Sequence, residues 1–127
     1  MYPADLRYDK EHEWVKVDGD VATIGISDFA QEQLGEVVYV DLPSVGDPVT
    51  RGESFGEIES VKSVSELFAP VSGEVVEVNP ELQDTPEVIN QDSYGVGWMI
   101  KVKMSDPGEL DELMTAKDYE SFVAQEA

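Results

Sequence analysis

Glu57-Ile58-Glu59-Ser60-Val61-Lys62-Ser63-Val64-Ser65-Glu66 lies near the middle of the 127-residue chain and governs how the rest is read. Residues 55–59 and 64–68 carry extended, β-favouring patterns on either side of a polar break at 60–63. The stretch therefore predicts a strand, a turn and a strand. Lys62 stands at the turn and is the only lysine between Lys16 and Lys101. An exposed amine on such a tip is a poor nucleophile on its own, and a Schiff-base lysine needs burial, which this position does not suggest. A rigid, protruding lysine suits recognition by a modifying enzyme, although an ordinary solvated turn lysine has the same spacing.

The pattern extends outward from that turn. Val45-Gly46-Asp47-Pro48-Val49 and Val71-Ser72-Gly73-Glu74-Val75 both place a glycine turn beside a strand, with a midpoint near Lys62. That faint symmetry predicts two similar β units joined at the hairpin. Toward the N-terminus, Trp14-Val15-Lys16-Val17 and Val21-Ala22-Thr23-Ile24 flank Asp18-Gly19-Asp20 and predict a second hairpin. Ser27 can cap a short helix that Phe29 and Leu34 make amphipathic and Gly35 ends. Residues 37–42 predict a strand stopped by Pro43. Gly46-Asp47-Pro48 and residues 70–73 predict turns, and 75–78 a strand. Residues 79–97 lack periodicity and predict a loop packed over the sheet. Trp98, Ile100, Val102 and Met104 alternate with Met99, Lys101 and Lys103, so 98–104 predicts a strand with one buried face. Residues 106–125 predict a helical end, started by Asp106-Pro107 and broken near Thr115, where Thr115 and Asp118 resemble a capping box. By pattern alone the fold is mostly β, a sandwich or flattened barrel in one domain over 1–127.

Composition removes several classes of function. Eight basic against 28 acidic residues give a net charge of −20, which opposes binding to nucleic-acid backbones and anionic membranes. The chain has no cysteine, so disulfides, zinc-thiolate sites and cysteine nucleophiles are excluded. One histidine, His12, excludes a multi-histidine metal site and reads as structural or exposed. No stretch approaches the ~18 apolar residues of a bilayer span. The N-terminal residues lack the basic start and apolar run of a secretory signal, which predicts a cytoplasmic protein. No nucleotide-binding, metalloprotease or triad pattern is present, and the many carboxylate pairs predict a solvated acidic surface.

Glu59-Ser60-Val61-Lys62-Ser63-Val64, followed by residues 70–79, resembles the lipoyl-attachment region of the glycine cleavage system H protein family. Glu11-His12-Glu13-Trp14-Val15, Ala22-Thr23-Ile24-Gly25-Ile26-Ser27, Leu34-Gly35-Glu36-Val37-Val38 and Tyr94 through Lys101 match the family in the same order. The resemblance implies a hybrid barrel-sandwich of two pseudo-symmetric β-sheets, with a short helix in its N-terminal half, the lipoyl hairpin at about 55–68 and a helical C-terminus. It implies that Lys62 carries lipoate as an amide, which changes the net charge from −20 to −21. It places cleft residues for the lipoyl arm at Glu11, Glu13, Gln33 and Glu66, with Glu13 as the partner of the cargo amine. Gln33 stands where some relatives carry His, and Ser93 where Pro usually precedes Tyr94.

The implied function is a shuttle. Glycine decarboxylase (P protein, with pyridoxal phosphate) would load an aminomethyl group, and aminomethyltransferase (T protein) would pass it to tetrahydrofolate. Dihydrolipoamide dehydrogenase (L protein) would reoxidise the dithiol, and a lipoate-attaching enzyme would modify Lys62. Lipoyl domains of 2-oxo-acid dehydrogenases and biotin carriers share the hairpin, but usually show Asp-Lys-Ala or Met-Lys-Met at the lysine. A lipoate-relay role and an unmodified acidic interaction module are the remaining alternatives.

The acidity itself has two readings: solubility in a high-salt cytoplasm, or recognition of basic patches on partner enzymes. Self-repulsion of −20 charges weakens the compact state, and at about 1 M salt the Debye length falls to ~3 Å. Salt adaptation predicts that thermal melts in KCl shift upward toward molar concentrations. A flat or falling melting temperature rejects it.

Overall fold

The computed structural model describes residues 2–126; Met1 and Ala127, the ends of the expected 1–127 domain, lie outside the described residues. Among the described residues, nine strands form two antiparallel sheets. They are β1 (Arg7–Tyr8), β2 (Glu13–Asp18), β3 (Val21–Ile26), β4 (Val37–Asp41), β5 (Pro48–Val49), β6 (Ser54–Ser60), β7 (Val64–Phe68), β8 (Gly73–Val78) and β9 (Ile100–Met104). The larger sheet has the order β1-β2-β3-β9-β8-β5 and the smaller β4-β6-β7. Helix α1 (Asp28–Leu34) joins them, α2 (Glu81–Asp84) and α3 (Val88–Gln91) follow β8, and α4 (Ala116–Glu126) closes the chain. The fold is mostly β, a barrel-sandwich with a helical C-terminus.

Local chemistry accounts for the elements. Gly19, with φ 66°, makes the turn that pairs Asp18 with Val21. Ser27 Oγ accepts the Ala30 N–H at 3.2 Å and caps α1, and the Gly35 N–H closes its other end on the Gln31 carbonyl. The two symmetric segments pair with each other: Pro48 faces Glu74, Val49 faces Gly73, and Gly46 and Asp47 exchange hydrogen bonds with Val75. Pro48 is tolerated because β5 is an edge strand.

Side chains of both sheets fill the space between them. Val15, Ala22, Ile24, Val75, Ile100 and Val102 form one buried cluster, and Ile26, Leu34, Val37, Ile58, Leu67 and Met99 form another. Each buried Val, Ile, Leu or Met side chain among them contributes about 1.5–3 kcal/mol by leaving water. A third, aromatic cluster of Tyr8, Trp14 and Tyr119 holds α4 against β1 and β2, with Tyr8 and Tyr119 stacked at 4.6 Å.

Three expectations need correction. Residues 79–97 contain α2 and α3 rather than only loop, anchored by buried Leu82 and Ile89. The last long strand begins at Ile100; Trp98 and Met99 precede it, and Met99 is fully buried rather than on a polar face. Pro48 is part of a strand rather than only of a turn. The helical end starts at Asp106-Pro107 and breaks near Thr115 as the sequence predicts, its first part being a 3-10 helix over Pro107–Glu112 capped by Asp106.

Trp14 lies opposite Gly25, and its indole occupies the room that a side chain there would need. A Cβ on Gly25 would stand 2.6 Å from Trp14 Cζ2. Gly25→Ala should lower the free energy of unfolding by about 1–3 kcal/mol, read from the urea midpoint. An unchanged midpoint would mean that the indole repacks freely.

Candidate functional site

The β6–β7 hairpin carries Lys62 at an exposed tip. The tip is held by a small hydrogen-bond set. Ser60 N–H donates to the Ser63 carbonyl at 2.8 Å, and Ser60 Oγ accepts the N–H groups of Ser63 at 3.1 Å and Lys62 at 3.3 Å. The Val61 N–H reaches across to the Glu36 carbonyl at 3.0 Å. Val61 and Val64, which flank Lys62 and suggest anchors for its strands, are 67% and 59% exposed, so their side chains do not anchor the tip. The buried hydroxyl of Ser60 does that work at the tip, and Ile58 and Leu67 do it lower in the hairpin.

The stem of Lys62 runs beside Gly35: a Cβ there would stand 3.3 Å from Lys62 Cε. Gly35 is itself fixed from the α3 side. Asn90 Nδ2 donates to the Gly35 carbonyl at 2.8 Å and to Gln31 Oε1 at 2.9 Å, while Asn90 Oδ1 accepts the Val37 N–H at 2.9 Å. Asn90 thus ties the end of α1 to the start of β4, beside the Lys62 stem.

Beside the tip opens a cleft of about 620 Å³, which Ser63 and Ser65 border on the hairpin side. Glu11, Glu13, Gln33 and Glu66, all singled out from the sequence, line it together. The other walls include Phe29 and Leu34 of α1, and Ile58 and Leu67 of the hairpin. His12 and Glu126 also line it, and neither was expected there. A left-handed turn before β2 brings His12 in, and the apolar spacing of Tyr119 and Phe122 in α4 was its only sequence signal.

Glu13 is the unusual member. It opens β2 opposite Ile26, and its side chain is 1% exposed. Oε2 accepts the Phe68 N–H at 3.1 Å, while Oε1 is buried with no hydrogen-bond partner among the described residues. Burial pushes the carboxyl well above the ordinary carboxylate range. The Phe68 N–H opposes that rise, and Asp9 and Glu11 add to it. When ionised, Glu13 offers Oε1 as an acceptor, shielded from water, to a donor that enters. Glu11, Gln33 and Glu66 are exposed at its border.

A sequence profile described as "Glycine cleavage H-protein" matches residues 6–126. The chain belongs to the glycine cleavage H-protein family. It is 56% identical over 126 residues to the glycine cleavage system H protein of Carboxydothermus hydrogenoformans, covering 99% of this chain and 97% of that protein. It is 59% identical over 124 residues to that of Anaeromyxobacter sp. (strain K), covering 98% and 97%. The crystal structure of a glycine cleavage system H protein from Mycobacterium marinum superposes with a TM-score of 0.86 at 42% identity, covering 98% of each chain. Among the described residues, no helix of this H-protein family member is long and apolar enough to cross a membrane.

The buried carboxyl has a thermodynamic signature. Because the folded protein holds the Glu13 proton more tightly than the unfolded chain, folding binds protons. Its contribution is fully favourable below the unfolded value of about 4.3 and is lost as pH rises from there through the folded value. Glu13→Gln should remove that loss, so the variant gains stability relative to the parent as pH rises from 4 to 8. Parallel stability curves for the two proteins would show that Glu13 ionises freely.

Proposed function

We propose that this protein carries lipoate as an amide on Lys62. In this reading it shuttles the aminomethyl group of glycine from glycine decarboxylase to the tetrahydrofolate-dependent aminomethyltransferase, and dihydrolipoamide dehydrogenase then restores it. It acts as a carrier and shared substrate of these partners, not as an enzyme. One observation carries the reading: a solvent-exposed amine on a hydrogen-bonded tip stands beside a cleft that holds an unpartnered carboxyl oxygen.

The residues present fit the group. The Lys62 amine is exposed for acylation, and the cleft beside it has apolar walls for a hydrocarbon stem. Bound lipoate supplies the redox-active disulfide that a chain without cysteine lacks. The chain supplies position and shelter. Ser60 and the Glu36 carbonyl fix the tip, so that partner enzymes meet a constant shape. Tethering on the lysine stem gives the carried group an effective concentration on the order of mM at a docked partner. Ile58, Leu67 and Phe29 keep water from the cleft floor. A cationic amine, whose entry the acidic border formed by Glu11 and Glu66 favours, opposes the burial-driven rise at Glu13 and keeps it ionised, so that Oε1 accepts the amine's hydrogen. Gln33 offers an amide where an ionisable ring would otherwise stand. The remaining acidic surface, which a cytoplasm of high salt would favour, suits basic patches on partners.

Lys62→Arg keeps the charge and the exposed tip but removes the acylatable amine. The variant should melt like the parent, show no lipoyl mass increment when purified from its native host, and lose glycine–bicarbonate exchange entirely. Retained exchange would defeat the assignment, as would a parent protein that stays unmodified in cells with abundant lipoate.

A further inference from the structure

His12 has no part in the reading above, yet three walls of the cleft meet at it. Its backbone is left-handed, with φ 77°, and it is the only such non-glycine residue among those described. A residue with a side chain rarely adopts that conformation unless its surroundings impose it. Here they do: the His12 N–H donates to the Asp9 carbonyl at 2.8 Å, and its carbonyl accepts the Ser27 N–H at 2.9 Å. The ring lies among Phe29 of α1 at 5.0 Å and Tyr119 and Phe122 of α4, each at 5.8 Å between centroids.

Both ring nitrogens are engaged. Nδ1 is 2.8 Å from the Tyr119 hydroxyl, which is 2.6 Å from Ser27 Oγ, the cap of α1. Nε2 is 3.3 Å from Glu126 Oε1 in the last turn of α4. Burial pushes the Tyr119 phenol upward, so it remains a hydroxyl. Only one direction along this row gives every hydrogen an acceptor. Ala30 N–H donates to Ser27 Oγ, Ser27 O–H to Tyr119, Tyr119 O–H to His12 Nδ1, and His12 Nε2–H to Glu126. The reverse leaves the Ser27 hydroxyl hydrogen without an acceptor among these groups. The row thus runs from the cap of α1, through the turn before β2, to the end of α4, and each of these elements contributes to the cleft.

The last turn of α4 has little else to hold it. Residues 124–126 are exposed, and the buried anchors Tyr119 and Val123 lie earlier in the helix. We propose that His12 is a positioning residue that latches the C-terminal helix across the cleft, so that α4 and Glu126 form a wall that shelters the docked arm. This rests on the proposal that the Lys62 arm enters the cleft.

Two measurements on the full-length chain test it. The first, hydrogen exchange of the unlipoylated protein, reads the latch without the arm. His12→Asn keeps a residue that accepts the left-handed backbone and should speed exchange over residues 121–126 by about tenfold. Glu126→Gln, which weakens a partly exposed pair, should do so by about threefold. The second uses the lipoylated, reduced protein. One arm thiol, formaldehyde and ammonia combine with loss of one water, and decay of the aminomethyl group returns that water and releases all three. Decay should quicken by the same factors in the two variants. The His12→Asn/Glu126→Gln double variant should decay no faster than His12→Asn alone, because both cut one connection. Glu120→Gln, on the exposed face of α4, should match the parent.

Faster exchange with unchanged decay would make the row a structural tie only and overturn the positioning role. Unchanged decay in both variants, with faster decay in Glu13→Gln, would remove the latch and leave the storage reading standing. Parent-like decay in all three would remove both.

Discussion

Burial of Ile58 and Leu67 is the constraint on which the rest depends. These two side chains face inward from the hairpin, and they both join the core between the sheets and floor the cleft. They hold the base of β6 and β7 firmly enough that the tip can present hydrophilic and exposed groups without losing its shape. Of the seven residues 60–66, only Ser60 is buried, and its contribution is a hydroxyl rather than a hydrocarbon. The tip is therefore stiff through hydrogen bonds, which leaves its amine free, whereas an apolar anchor at Val61 or Val64 would have drawn the turn inward.

The cleft shows the opposite economy. Glu13 gives up hydration and receives one backbone N–H for two oxygens. Such an arrangement works against folding at neutral pH. Next to it, His12 holds an uncommon backbone angle. Two adjacent residues that each oppose stability, in a chain whose other elements obey ordinary capping and pairing rules, mark the place where the sequence answers to something other than folding. The aromatic cluster of Tyr8, Trp14 and Tyr119 offsets them from behind.

Much of the fold was legible because its signals are local. Alternation around Asp18-Gly19-Asp20, the Ser27 cap and the Gly35 stop each act within a few residues, and the structure follows them. The segment 79–97 was not, because helices of four residues show no period, and neither α2 nor α3 has a side-chain cap to announce it. Met99 misled for a related reason: alternation marks one buried face, but just before β9 the chain lies between elements and buries both Met99 and Ile100. Glu11, Glu13, Gln33 and Glu66 could be grouped only through family resemblance, since the pairings that gather them span the chain. The burial of Glu13 was invisible in any pattern, because Glu13, Trp14 and Val15 are consecutive and all buried. Two packing layers claim alternate faces of that strand.

Asn90 gives the misread segment a larger part than that of a cover. Its three hydrogen bonds hold Gln31, Gly35 and Val37, and the carbonyl of the intervening Glu36 is the one that steadies Val61. The aim of the tip is thus set from α3, far along the chain from the lysine it serves. Grafting the β6–β7 sequence alone onto another scaffold would transplant the amine without its bearing. Conversely, lengthening or shortening the stretch around α3 would leave every residue near Lys62 intact while turning the hairpin away from its cleft.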